Sequence, residues 1–439
     1  MGIPLPEDFV SRMESILGGE LPAFLQSLEE SPCRGIRLNL LKRTASTARY
    51  ERGEKVAWAE GAYLLEAASK AGVTALHEAG AFYLQEPGAM IPAAVLDARP
   101  GERILDLCAA PGGKSTQLGC AMQDRGLLVV NEPVPKRAQI LSRNIERMGI
   151  GNAVVTCALP EQLAVRWPEA FDAVLADAPC SGEGMFRRVP ESRLEWTKEK
   201  AAGCAARQRA ILTEAAKMVR PGGRLVYSTC TYNPVENEEN VRWFISQFPD
   251  FDTEPFTLPG VDGTNGVFTC YPHRMNGEGQ FTALLRRKGS EESSSLGKPS
   301  LPGPSKEETA VFRNEFPMLP APNLRLGSML VQLETCPDLS GIRVLRAGLH
   351  LGEVRGKVAV PDHAAALSAD SPTVQAVDLT AEETLRWLAG ETLNRDANGW
   401  VLIRWQGLAI GWGKGSGGVI RNHYPKGLRG NHFLAEEGG

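Results

Sequence analysis

Arg103-Ile104-Leu105-Asp106-Leu107-Cys108-Ala109-Ala110-Pro111-Gly112-Gly113-Lys114 is the stretch that decides the fold. Its first half is an aliphatic run ending on an aspartate. Its second half sets a proline and two glycines before an apolar-periodic segment over 115–122. A strand that enters a tight turn and opens a helix fits this order. Glycine lets the backbone come close to a ligand, and the first N–H groups of a helix lack intrahelical partners, so such a loop suits a nucleotide or a sulfonium cofactor. It is neither G-x-G-x-x-G nor a phosphate loop, because no glycine stands five residues before Gly113.

Outward from this stretch the pattern repeats. Strand-like runs at 126–132, 152–156, 171–177 and 223–228 alternate with helical segments near 136–148 and 205–219. That alternation predicts a doubly wound α/β domain with a parallel sheet. Glu132 ends the second strand 26 positions after Asp106, where such folds place a carboxylate to accept from ribose hydroxyls.

Upstream, Phe9, Met13, Ile16, Leu17, Leu21, Phe24, Leu25 and Leu28 recur at helical spacing over 8–28, before a strand-like run at 37–40. A small α+β unit over 1–86 is expected, followed by the α/β domain over 87–288. Ser, Gly, Pro and charged residues then dominate, marking a linker over 289–310. The rest, 311–439, returns to globular composition with strand-like runs at 341–346 and 400–405, a mostly-β or α+β appendage.

With 439 residues the chain exceeds one ordinary domain. No apolar run reaches the roughly 18 residues of a membrane helix, and the start has no signal peptide, so a cytoplasmic protein without a membrane partner is expected. The nine cysteines are scattered, with no C-x-x-C pair. Reduced thiols are expected, and neither a metal site nor a disulfide framework. Forty-eight basic against 52 acidic side chains give a formal charge of −4. Any nucleic-acid surface must therefore be a local patch.

Two cysteines stand apart. Asp177-Ala178-Pro179-Cys180-Ser181-Gly182 and Ser228-Thr229-Cys230-Thr231 each follow a strand-like run, and ligands on open parallel sheets bind beyond the carboxyl ends of the strands. A lone cysteine is ordinarily a small buried hydrophobe, the reading for Cys33, Cys157, Cys204, Cys270 and Cys336. Cys108 is expected to line the cofactor loop. Cys180 and Cys230 abut polar and glycine-rich sequence that leaves a thiol open. A thiolate added to carbon 6 of a pyrimidine makes carbon 5 nucleophilic enough to take a methyl group from a sulfonium donor. An acid such as Asp177 then hydrogen-bonds the base edge as charge develops.

The three motifs, with Asn233-Pro234-Val235-Glu236-Asn237-Glu238 after the last, resemble the S-adenosylmethionine-dependent RNA 5-methylcytosine methyltransferases over about 87–287. The resemblance implies a Rossmann-like methyltransferase domain and S-adenosylmethionine bound by Cys108, Ala109, Ala110, Pro111, Gly112, Gly113, Lys114, Glu132 and Asp177. It also implies Cys230 as the attacking thiol and Cys180 as the release thiol. DNA cytosine methyltransferases use a Pro-Cys thiol, which keeps Cys180 as a rival nucleophile. Members often carry an aspartate for the adenine amino group after the third strand. Here Thr156-Cys157-Ala158-Leu159-Pro160 has none, so adenine must be held differently.

The segments Pro22-Ala23-Phe24-Leu25 and Arg34-Gly35-Ile36-Arg37-Leu38-Asn39 resemble the family's RNA-holding leader, with plain domain packing as the other reading of Arg34 and Arg37. From Arg404 to Ala435 there is no acid, and Arg404, Lys414, Arg421, Lys426 and Arg429 are interleaved with Trp405, Trp412, His423 and Tyr424. Cations suit phosphates and flat rings suit unstacked bases. Gly411-Trp412-Gly413-Lys414 and Tyr424-Pro425-Lys426-Gly427-Leu428-Arg429 resemble the PUA-like carboxyl-terminal domain of the RsmF group. The expectation is a monomeric enzyme acting on cytosine carbon 5 in 16S rRNA or the small ribosomal subunit, not on DNA. A tRNA methyltransferase and a non-catalytic RNA-binding assembly factor are the alternatives.

Overall fold

The computed structural model describes residues 3–42, 44–289, 294–368 and 375–435. The first two residues, residues 290–293 of the expected linker and the last four residues lie outside the described residues.

At the amino end Phe9, Met13 and Leu17 fall four apart and are buried on one face of the helix Glu7–Leu17. The single helix expected over 8–28 is divided: Gly18 takes φ 52° after the first helix, a short 3-10 turn follows, and a second helix runs Leu21–Ser27. Only glycine adopts that backbone without strain. The pair packs Phe9 and Phe24 against Phe186, Trp196 and Tyr232, with the Phe9 and Phe186 rings edge to face at 5.0 Å. The amino-terminal helices thus brace a loop of the α/β domain.

Strands β1 (Gly35–Leu38), β2 (Ala62–Leu64) and β3 (Phe82–Leu84) form an antiparallel sheet in the order β2-β1-β3. Arg37 on β1 is buried and donates to Gln85 Oε1 (3.1 Å), Thr116 Oγ1 (2.7 Å) and Gly113 O (3.2 Å). Arg34 is turned onto the carbonyls of Ala67 and Ser69. Both arginines hold protein to protein, as the packing reading expects.

Five parallel strands make the centre: β4 (Arg103–Asp106), β5 (Leu127–Asn131), β6 (Ala153–Thr156), β7 (Phe171–Asp177) and β8 (Val219–Thr229), in the order β6-β5-β4-β7-β8. Leu127, Leu128, Val129 and Val130 are all fully buried, as a strand covered on both faces requires. The chain runs outward from β4 to β6 and returns as β7 on the other side of β4. This reversal opens a crevice at the strand carboxyl ends between β4 and β7. After β9 (Phe251–Thr253) and a hairpin of β10 (Phe256–Leu258) and β11 (Val261–Gly263), β12 (Val267–Cys270) and β13 (Gln280–Arg287) extend the sheet antiparallel beyond β8.

The carboxyl-terminal region is joined to this sheet. After β14 (Leu324–Leu326) and β15 (Met329–Gln332), β16 (Val344–Ala347) pairs antiparallel with β6, Val344 opposite Thr156 and Ala347 opposite Val154. It covers an edge that would otherwise present unpaired backbone groups. The segment of low apolar content before it also packs: Leu296 is buried in the main core. A helix Lys306–Glu315 starts within that segment, its first turn closed by Ser305 and Glu308, each accepting from the other's backbone N–H.

A last sheet of Ala376–Asp378, Gly399–Trp405, Leu408–Ser416 and Val419–Asn422 shares its core with the amino-terminal sheet, Trp387, Val401, Ile403 and Tyr424 meeting Ile36, Leu38 and Phe82. The buried Tyr424 hydroxyl donates to Glu78 Oε2 at 3.0 Å. Burial alone would raise the Glu78 carboxyl, yet His77, Arg143 and Tyr424 together hold it at about 2. Tyr424→Phe removes one charge-assisted bond at this joint and is expected to cost about 2 kcal/mol. Scanning calorimetry checks this through a lowered unfolding temperature. Among the described residues no helix is long and apolar enough to cross a membrane.

Candidate active site

The loop after β4 turns at Gly112, whose φ of 115° suits only glycine, and opens the helix Gly113–Met122. A Cβ at Gly113 would stand 3.3 Å from Gln85 and 3.4 Å from Tyr83, so these two side chains roof the loop. Asp106 is fully buried. The Ser115 hydroxyl donates to its Oδ2 at 2.6 Å, while Oδ1 has no partner. Burial lifts the Asp106 carboxyl to about 7, only partly offset by Ser115. Burial likewise pushes the Cys108 thiol far above its ordinary value, leaving it unreactive.

In the parallel pairing of β7 with β8, Asp177 stands opposite Ser228. The loops that follow therefore leave the sheet side by side, and Cys180 and Cys230 meet with their sulfurs 3.1 Å apart. The Cys230 N–H donates to Cys180 Sγ at 3.3 Å. Hydrogen bonding to Cys230, reinforced by burial, holds the Cys180 thiol well above its usual value, so Cys180 keeps its proton. Glu236, wholly buried, fixes the Cys180 loop by accepting from the Ser181 N–H (2.9 Å) and hydroxyl (2.5 Å) and from Gln208 Nε2 (2.9 Å).

Asp177 is held from two sides. Lys114 Nζ donates to Oδ2 at 2.8 Å, and the Ser228 hydroxyl donates to Oδ1. Gln280 Nε2 donates to Ser228 Oγ at 2.8 Å and so turns that hydroxyl toward the carboxylate. Although burial favours a neutral amine, the Asp177 carboxylate outweighs it and raises the Lys114 ammonium, with smaller contributions from Cys230 and Asp106.

These groups converge on a cleft of about 430 Å³ whose lining includes Asp106, Lys114, Asp177, Met185, Cys230 and Gln280. Cys230 lines it, whereas Cys180 touches it only through the Cys230 sulfur. That asymmetry was invisible in the sequence. A larger hollow of about 600 Å³ beside the β10–β11 hairpin, lined by Val261, Phe268, Tyr271 and Arg274 among others, contains none of the expected catalytic groups.

Other expectations divide. Glu132 follows β5 as anticipated, but its carboxylate is buried, accepting from the Val134 N–H at 3.0 Å with Arg137 at 3.2 Å, and it does not line the cleft. Cys204 and Cys270 are buried, whereas Cys33, Cys157 and Cys336 are only half-buried because each lies in a connection at the surface. Beyond β6, Cys157 Sγ reaches the Pro133 carbonyl at 3.5 Å, and Val134 and Leu159 stand exposed. The basic, aromatic tail is corrected. Trp405, Trp412 and Tyr424 are buried in the core: the two tryptophans lie on strands packed on both faces, and Tyr424 follows the last strand with its hydroxyl on Glu78. Arg404 pairs with Asp378 at 2.6 Å, and Arg429 donates to the Tyr424 carbonyl. Arg421, His423 and Lys426 stay exposed. Roles for Tyr83, Gln85, Ser228 and Gln280 went unread; the only signal was Ser228 as a polar residue ending an apolar strand.

Family models match along nearly the whole chain: 16S rRNA methyltransferase RsmB/F over 93–286, the N-terminal domain of 16S rRNA methyltransferase RsmF over 5–87, the RsmF first C-terminal domain over 312–368 and the RsmF PUA domain over 374–430. Ribosomal RNA small subunit methyltransferase F of Cronobacter sakazakii is 32% identical across 97% of this chain and 96% of its own. Its Escherichia coli K12 counterpart is 31% identical across 96% of each. Among solved structures, a methyltransferase homologue from Pyrococcus horikoshii superposes with a TM-score of 0.57 at 26% identity, over 65% of this chain and 96% of that one. NSun6 from the same organism shares the fold, with a TM-score of 0.55 at 22% identity over 65% of this chain and 99% of that one.

Proposed function

Because the chain belongs to the RsmB/F family of 16S rRNA methyltransferases, with the amino-terminal and PUA units of RsmF, we propose that it methylates carbon 5 of a cytosine in 16S rRNA through a covalent bond from Cys230. The observation carrying this reading is the pair of sulfurs 3.1 Å apart, one of which lines the cleft that also holds the glycine loop.

S-adenosylmethionine is the methyl donor of this family, and the residues present fit it. Backbone amides at the start of the Gly113–Met122 helix and the unpartnered Asp106 Oδ1 offer donors and an acceptor for its polar groups. Bound there, the cofactor supplies an electrophilic methyl. The protein's part begins with the Cys230 thiolate adding to carbon 6, which places negative charge on the ring. A proton taken from water at N3 cancels that charge, and the Asp177 carboxylate, held by Lys114 and Ser228, accepts from the amino and N3–H edge; N3 returns the proton to water as the product leaves. Methyl transfer to carbon 5 leaves a proton on that carbon. While Cys230 is a thiolate, Cys180 donates to it and stays protonated. Once the Cys230 sulfur is bonded to carbon that hold is gone, so Cys180 can lose its proton to water and then take the carbon 5 proton as Cys230 departs. Reaching carbon 6 from the ring face requires the base to leave its stack.

Mapping 5-methylcytosine in total RNA from cells with and without this protein tests the reading. Loss of a mark from 16S rRNA is expected; unchanged 16S rRNA with a mark lost from tRNA would overturn the substrate. The Asp106 environment adds a second expectation. A carboxyl raised to about 7 is mostly protonated below that pH, and protonation competes with any cationic group placed on its free oxygen. S-adenosylhomocysteine affinity should therefore rise with pH up to about 7 and level off above it, with proton release on binding below it. Titration calorimetry from pH 5.5 to 8 in two buffers measures both, and a flat profile would remove Asp106 from the binding site.

A further inference from the structure

Two cations line the catalytic cleft, Lys114 and Arg188. Lys114 is neutralised by Asp177 at 2.8 Å. Arg188 is exposed, and its guanidinium has no hydrogen bond or ion pair among the described residues. The two glutamates that share the cleft wall with it are already committed. Glu278 holds Arg187 through two bonds of 2.8 Å, and Glu86 accepts the backbone N–H groups of Gly88, Ala89 and Glu278 at 2.7 to 2.8 Å.

The backbone carrying Arg188 is fastened on both sides. Arg187 is buried on Glu278, the Val189 N–H donates to the Met185 carbonyl at 2.7 Å, and Arg193 donates to the carbonyls of Ile3, Leu28 and Phe186. Among the described residues the Arg188 guanidinium is left free, a cation on a fastened backbone at the cleft that Cys230 lines.

A nucleotide whose base enters that cleft leaves its phosphodiester outside, because a buried phosphate without partners is too costly to desolvate. The guanidinium fork matches two phosphate oxygens at once. We infer that Arg188 binds the phosphodiester flanking the target nucleotide and so positions the extruded base over Cys230. This rests on the reading of Cys230 as the attacking sulfur in an RNA methyltransferase.

The test measures binding of 16S rRNA transcribed in vitro to the full chain over a series of salt concentrations, apart from turnover. R188A should weaken binding about fivefold and reduce the slope of log affinity against log salt by about 0.7 to 0.9, one phosphate's share. R188K should regain the slope. S-adenosylhomocysteine affinity, by calorimetry, should not move. An unchanged slope, or a loss that falls on S-adenosylhomocysteine instead, overturns the inference. If wild-type protein transfers no methyl yet shows the Arg188-dependent slope, the phosphate contact stands and the reaction proposed above falls.

Discussion

Cys230→Ala is expected to abolish methyl transfer, a fall of about 10⁴-fold or more, on the scale seen when an enzyme loses its nucleophile. Cys180→Ala is expected to behave differently: Cys230 still adds and the methyl still arrives, but the carbon 5 proton has no nearby acceptor. An RNA–protein adduct should then accumulate, visible as a slowly migrating band on a denaturing gel that nuclease removes. The contrast follows from geometry. Cys230 lines the cleft, while Cys180 is not among its lining residues and is held protonated by its partner. Trapping of adduct by the Cys230 variant would reverse the assignment and make Cys180 the nucleophile, as in the Pro-Cys enzymes that act on DNA.

That contrast marks what the sequence disclosed and what it withheld. Alternating strands and helices disclosed β4 to β8, because the body of each is a buried apolar run; β8 starts at Val219, ahead of the expected 223, and takes in Arg220-Pro221-Gly222. Once a parallel sheet is assumed, Asp177 and Cys180 after β7 and Cys230 after β8 must share an edge. Which sulfur meets the cleft depends on loop paths of two or three residues, beyond the reach of periodicity. Contacts across long separations were equally hidden. β16 joins the sheet through β6 from nearly two hundred residues downstream, and Gln280 reaches Asp177 through Ser228 only because β13 returns antiparallel on β8. The tail misled for another reason. Charge and aromatic content described its composition, but Leu408–Ser416 is a strand packed on both faces, with Ile410 in one core and Trp412 in another across a bulge, and that two-sided burial puts the tryptophan inside. A Cβ at Gly413 would come within 2.4 Å of Ile420, so close strand packing, rather than an exposed ring for bases, accounts for that glycine.

Glu278→Ala should have the largest effect on folding. Arg187 and Glu278 are 6% and 4% exposed, so the substitution leaves a guanidinium buried with the carbonyls of Ser27 and Gly277 as its remaining acceptors among the described residues. Stranding one partner of a buried pair costs about 3–5 kcal/mol. The loss is not confined to one contact. Glu278 also accepts the Cys33 N–H at 2.9 Å, and it precedes Gly279 and Gln280 in the cleft wall. The amino-terminal helices, the Arg188 loop and the wall that steadies Asp177 should therefore loosen together, lowering both the denaturation midpoint and the activity of what remains folded. Replacing both partners, Arg187→Met with Glu278→Leu, removes the uncompensated charge and should recover most of the stability, while the loop regains no fixed register and activity stays low. Denaturant titration of the wild type, both singles and the double gives the coupling directly. A double variant as unstable as Glu278→Ala would show that the site depends on the carboxylate's backbone contacts rather than on its charge.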